Sequence, residues 1–170
     1  MSALTDAAIS REERRLGAPL DYLRTIADTS ASAFVKMAAF APLAGHHRQH
    51  APPAVWHLAL LAATRVHDCG TCVQIVVNQA RASSVPAKTL QAALDGDESS
   101  LSEGEWLAIR FGRAVAAGDG AHDAGADVER QWGEAVRVEL ALAVATASVF
   151  PLLKRGLGQD VACALVTVEV

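Results

Sequence analysis

Apolar residues in this chain recur at helical spacing, and no segment alternates apolar and polar residues with period two. That pattern predicts helices and argues against a sheet. Over residues 21–41, for example, Leu23, Ile26, Ala27, Ser30, Phe34, Met37, Ala38 and Ala41 fall on one helical face. Composition points the same way. Hydrophobic residues make up 51% of the 170, with only three Trp, one Tyr and four Phe, so the apolar content is largely Ala, Val and Leu. Ala and Leu are strong helix formers. The reading is an all-α protein, a single domain over residues 1–170, long enough to bury a substantial core. It carries more apolar surface than one copy is expected to cover, so a homo-oligomer is expected.

The chain divides at its turn-forming residues. Pro42 and Gly45 are expected to end the 21–41 helix. A polar loop follows, holding His46, His47 and His50, and its prolines suit the first turn of a buried helix over 54–65. Asp68 is a good N-cap for a helix over 69–82. A short helix is expected over 87–94. Ser100 and Glu103 form a capping-box pattern for a helix running to Ala117. After the turn Gly118-Asp119-Gly120, one long helix is expected over 124–150, apolar all round past Leu140 and so buried. Pro151 is expected to kink or end it, and the 161–170 tail to be extended.

Charge excludes several classes. The net charge is −4, and no Lys/Arg stripe is interleaved with aromatics, so no nucleic-acid partner is expected. The uncharged runs 140–153 and 51–64 are shorter than the roughly 20 residues of a membrane span, so no membrane partner is expected. Asp6, Arg11, Glu12, Glu13, Arg14 and Arg15 are unlike a secretory signal. With three cysteines, the expectation is a cytoplasmic protein, where a CxxC is catalytic or metal-binding more often than a static crosslink.

Cys69 and Cys72 carry the chemistry. Two thiols at this spacing at a helix start face unsatisfied N–H groups and the positive end of the helix dipole, which favour a thiolate. The second thiol can then resolve a sulfenic acid or mixed disulfide. Asp68 opposes this by its negative charge, and an imidazole of His57 or His67 can offset it or act as a base. Three readings stay open from the residues alone: a redox pair, half of a zinc site, or two small buried residues. A zinc site would be completed by Cys163 and one of His46, His47, His50, His57 or His67. Trp56, Trp106 and Trp132 read as core or subunit-contact anchors.

A buried helix, a short break, and Asp68-Cys69-Gly70-Thr71-Cys72 opening the next helix resemble the carboxymuconolactone decarboxylase and alkylhydroperoxidase D-like superfamily. Asn78-Gln79-Ala80-Arg81-Ala82 and the Val85-Pro86 helix start add to the resemblance, which covers about residues 21–117. Residues 118–170 look like a C-terminal helical extension. The resemblance implies an all-α fold in trimers or hexamers, and a dimer is the further alternative for the expected homo-oligomer. It implies a thiol-dependent hydroperoxide reductase with Cys69 and Cys72 as the reacting pair, no cofactor, and re-reduction by a dithiol partner. The family's Glu-x11-Cys-x2-Cys-x3-His relay is not kept, since His57 stands at the Glu position and Val76 at the His position. His57 is therefore the candidate substitute base, with His67 beside it. The competing expectation is a non-peroxidase redox sensor or ligand-binding oligomer on the same scaffold.

Overall fold

The computed structural model describes residues 2–44, 48–159 and 169–170, and of residues 41–44 the backbone alone. Ser2 opens α1 (Ala3–Leu16) by accepting the Thr5 N–H at 3.2 Å, and Gly17 closes it in the left-handed conformation. Arg24 of α2 (Asp21–Thr29) reaches back to Glu13, Asp6 and Ser10, tying the two helices together. The single helix expected over 21–41 is two. Ser30 leaves helical geometry at φ −156° and ψ 109°, and its hydroxyl accepts the Ala33 N–H at 3.2 Å to start α3 (Ala31–Ala44). A serine that can cap its own downstream turn competes with the continuing helix. Pro42 does not end α3, which runs past it.

α4 (Pro53–Val66) has proline in its first turn, as expected, and is followed by α5 (Gly70–Ala82) and α6 (Ala87–Asp95). A 3-10 turn at Glu98–Ser100 precedes α7 (Glu103–Ala117). The capping box sits two residues later than expected, at Ser102 and Glu105, because Asp97 already caps the turn holding Ser100. The long helix expected over 124–150 is also two, α8 (Ala121–Trp132) and α9 (Glu134–Gly156). Gly133 separates them at φ 89° and ψ 167°, a region only glycine occupies readily. Pro151 lies inside α9 without ending it. Among the described residues there is no strand, and the protein is all-α. The 161–170 tail falls mostly outside the described residues.

The core is organised around α4. Val55, Trp56, Leu58, Ala59, Leu61, Ala62 and Ala63 are buried among α5, α7 and α9. α4 and α7 approach closely at Gly112, where an added Cβ would overlap the Ala59 carbonyl oxygen. Trp106 and Trp132 pack half-buried against this core. A second apolar cluster of Ile9, Leu20, Tyr22 and Ile26 joins α1 and α2 to Phe34 and Met37 of α3, Ile75 of α5, and Phe150 and Leu153 of α9.

α9 is long and apolar enough, by length and composition, to cross a membrane. Its inner face nevertheless packs on the bundle and carries two buried charged residues, Glu139 and Lys154. The Glu139 carboxylate accepts the N–H groups of Gln49, His50 and Ala51 at 3.1, 2.9 and 3.0 Å. Burial alone would raise its pKa, but those three N–H donors and the nearby His50 bring it below the usual carboxylate range. This ionised group holds the chain that feeds α4.

Two outcomes are expected. Gly112→Ala should destabilise the fold by at least the ~1–3 kcal/mol of an overpacked core, read as a lowered thermal midpoint. An unchanged midpoint would mean that α4 and α7 separate freely. Because the folded pKa of Glu139 is depressed, its contribution is present above the unfolded value of about 4.3 and is lost as pH falls through the lower folded value. Denaturant midpoints measured from neutral to acid pH should therefore fall less steeply in Glu139→Gln than in the parent chain.

Candidate functional site

The turn between α4 and α5 builds the site. His67 ends α4, with the Asp68 N–H donating to the Arg65 carbonyl at 3.0 Å. Asp68 has φ +52°, a left-handed conformation that aspartate tolerates better than most residues. It is therefore not the N-cap. That position falls to Cys69, whose carbonyl accepts the Val73 N–H at 2.9 Å. Cys72 stands at the third helical position, so both sulfurs lie at the helix start, where N–H groups lack intrahelical partners.

The two cysteines form a disulfide, with Cα atoms 5.3 Å apart. They are 4% and 6% exposed, under the ring of Phe150, which in turn meets Phe40 at 6.1 Å between centroids. Against them lies Lys154, a residue not singled out by motif. It is 4% exposed, with Nζ 3.6 Å from Cys72 Sγ and 3.8 Å from Cys69 Sγ. The same ammonium sits 5.3 Å from the centroid of the Tyr22 ring, a cation–π distance. Burial, then the Glu12 charge, push the Tyr22 phenol up to about 12, so it stays protonated. Lysine is almost never buried this deeply unless paired. When the disulfide is reduced, this ammonium faces whichever sulfur carries negative charge.

Lys154 carried one signal in the sequence. It falls in helical register with Val136, Leu140, Ala143, Ala147 and Pro151, a lone cation on an apolar face. What the sequence lacked was any indication that this face ends over the α4–α5 turn. Arg155 fixes that approach by donating to the His67 carbonyl at 3.0 Å.

The two candidate histidines part company. His57 Nε2 is 2.9 Å from the Ser83 hydroxyl, just beyond the far end of α5. Fourteen residues of rise separate Ser83 from Cys69, about 20 Å along the helix. The structure thus does not bring His57 to the thiols, because α4 and α5 run antiparallel and His57 lies three turns up α4. Its Nδ1 is buried without a hydrogen-bond partner among the described residues. Burial, with a smaller effect of Arg48, lowers its pKa to about 4, so it is neutral near pH 7.

His67 remains beside the site, on the turn itself. Its pKa is lowered by burial and by Arg155, and its Nε2 has no hydrogen-bond partner among the described residues. Val76 is buried one turn beyond Cys72 and offers no base. No three metal-ligating side chains converge among the described residues. Cys163, His46 and His47 lie outside them, and His50 is exposed on the strap held by Glu139.

Comparison with protein-family models, with curated proteins and with solved structures finds no match for this chain.

Lys154→Met should raise the pKa of the reduced thiol pair by about 1–3 units, the range for losing an opposite charge at this distance. The thiolate then forms only at higher pH. Alkylation rate against pH, measured on reduced protein, reads this directly, and a superimposable profile would remove Lys154 from thiolate stabilisation.

Proposed function

We propose that this protein is a dithiol–disulfide redox protein acting as a hydroperoxide reductase on an alkylhydroperoxidase D-like fold, with Cys69 and Cys72 as the reacting pair. The observation that carries the reading is the buried Lys154 ammonium within 3.8 Å of both sulfurs. It supplies a fixed positive charge where the family-like relay has no counterpart. Helix-start N–H groups add to it.

In the proposed cycle one thiolate attacks the terminal oxygen of a hydroperoxide. The O–O bond breaks, and the leaving alkoxide takes a proton and departs as alcohol, leaving a sulfenic acid. The second thiol attacks that sulfur, water leaves, and the disulfide closes. A dithiol partner returns two electrons by exchange. His67, on the turn that carries the pair and with its pKa lowered by burial and by Arg155, is the proton acceptor in this cycle, and His57 has no part. The setting is a reducing compartment such as the cytoplasm, and further copies of the chain are partners.

A second reading, a redox sensor that closes its disulfide without turnover, is favoured by one feature. Both sulfurs lie under Phe150 and are nearly inaccessible.

The test is an assay with an organic hydroperoxide and a dithiol reductant. Turnover should vanish in Cys69→Ser and Cys72→Ser. It should be unchanged in His57→Ala, in place of the ~10²–10⁴-fold loss expected for a general base. Disulfide formation without turnover would establish the sensor instead, and no loss of thiols on peroxide treatment would sink both readings.

A further inference from the structure

We propose that the outer face of α9 is a self-association surface, on which α9 of a second copy packs antiparallel about a two-fold axis. This deepens the self-association within the proposed function and is independent of the thiol chemistry.

Ala135, Val138, Leu142, Ala145, Val149 and Leu152 follow one another at spacings of 3, 4, 3, 4 and 3 along the outside of the helix. Val138, Leu142 and Leu152 are 46%, 46% and 51% exposed. The opposite face is buried in the bundle, so α9 presents apolar residues both ways. A 3-4 alternation is the seam of a two-helix coiled coil, and this one runs about 25 Å.

The residues along the seam also choose its direction. With the helices antiparallel, Leu142 meets Ala145 of the second copy, Ala135 meets Leu152, and Val138 meets Val149. Every layer then pairs a large residue with a small one, or two of middle size, and the seam closes evenly. Parallel and in register, the layers would run Ala–Ala, Val–Val and Leu–Leu in turn, leaving gaps at the alanine layers and crowding at the leucine layers. Charge agrees with the packing. Glu134 and Arg155 flank the same edge of the seam at opposite ends of the helix, and antiparallel pairing sets each against the other on the second copy. Arg155 holds the His67 carbonyl through one nitrogen and has further donors to offer. The helix dipoles are also opposed in this arrangement. Such a seam would brace the helix that carries Lys154 and Phe150.

Sedimentation velocity on the full chain, reduced, tests the surface. The parent protein should sediment as a dimer or an even multiple of one. Leu142→Glu should raise the dissociation constant of the α9 contact at least about tenfold, with unchanged helical circular dichroism. Ala145→Leu should also weaken association, because it overfills the Leu142 layer, whereas a parallel seam would be strengthened. Arg155→Glu should weaken it, and adding Glu134→Arg should restore it. A monomeric parent chain overturns both this surface and the self-association. A parent oligomer unaffected by Leu142→Glu overturns the surface alone. Binding of the parent chain to phospholipid vesicles, lost in Leu142→Glu, would assign the face to a membrane and overturn it too. Hydroperoxide turnover measured on the parent chain and on Leu142→Glu reports separately on the thiol reading.

Discussion

Everything in this fold is arranged around burying α4. Nine of its positions from Val55 to Thr64 are out of water, and no single partner helix could cover them. α5, α7 and α9 enclose it, and α7 comes close enough that Gly112 lies directly against the Ala59 backbone. Full burial of a leucine-sized side chain is worth about 1.5–3 kcal/mol. The helix therefore sets where its neighbours must lie. One such neighbour, α9, crosses far enough to bring its last turns over the end of α4.

That crossing assembles the candidate site. The α4–α5 turn alone presents two cysteines at a helix start, a feature that favours a thiolate in many proteins. The last turns of α9 add a buried ammonium, an aromatic cover in Phe150, and an arginine that locks the turn through the His67 carbonyl. Burying a lysine costs several kcal/mol unless partners compensate. Here the two sulfurs and the Tyr22 ring stand around it. Glu139 solves the opposite problem on the same helix, a buried carboxylate matched to three backbone N–H groups. α9 thus carries one charge that organises the entry to α4 and another that faces the thiols at its exit.

A histidine twelve residues before the first cysteine invites assignment as a base, but helix geometry decides otherwise. His57 is bonded to Ser83 at the far end of α5 and is kept neutral by burial. The charge that the thiols meet is supplied instead from a helix distant in sequence. On its other side the same helix bears an apolar seam, so a single element serves core, site and outer surface.

The helical class was legible from spacing alone, because a 3.6-residue period is a local property of the chain. So were the bounds of α4 and α6 and the C-terminal ends of α5 and α7, which rest on proline, glycine and the polar turns between them, whereas the caps that open α5 and α7 fall one and two residues later than the sequence reading placed them. The breaks at Ser30 and Gly133 were not. A serine cap and a glycine in a conformation other residues avoid interrupt the chain without interrupting its apolar pattern. The cysteine pair was legible as two sulfurs able to close on each other, since those atoms and their spacing belong to four consecutive residues. Lys154 was visible only as a misplaced charge on an apolar face. Its meaning depended on where α9 ends in space, and that is decided by packing across 82 residues of sequence. Local periodicity and thiol spacing are written in the chain itself; which charge faces the sulfurs, and which histidine does not, follows only from how helices bury one another.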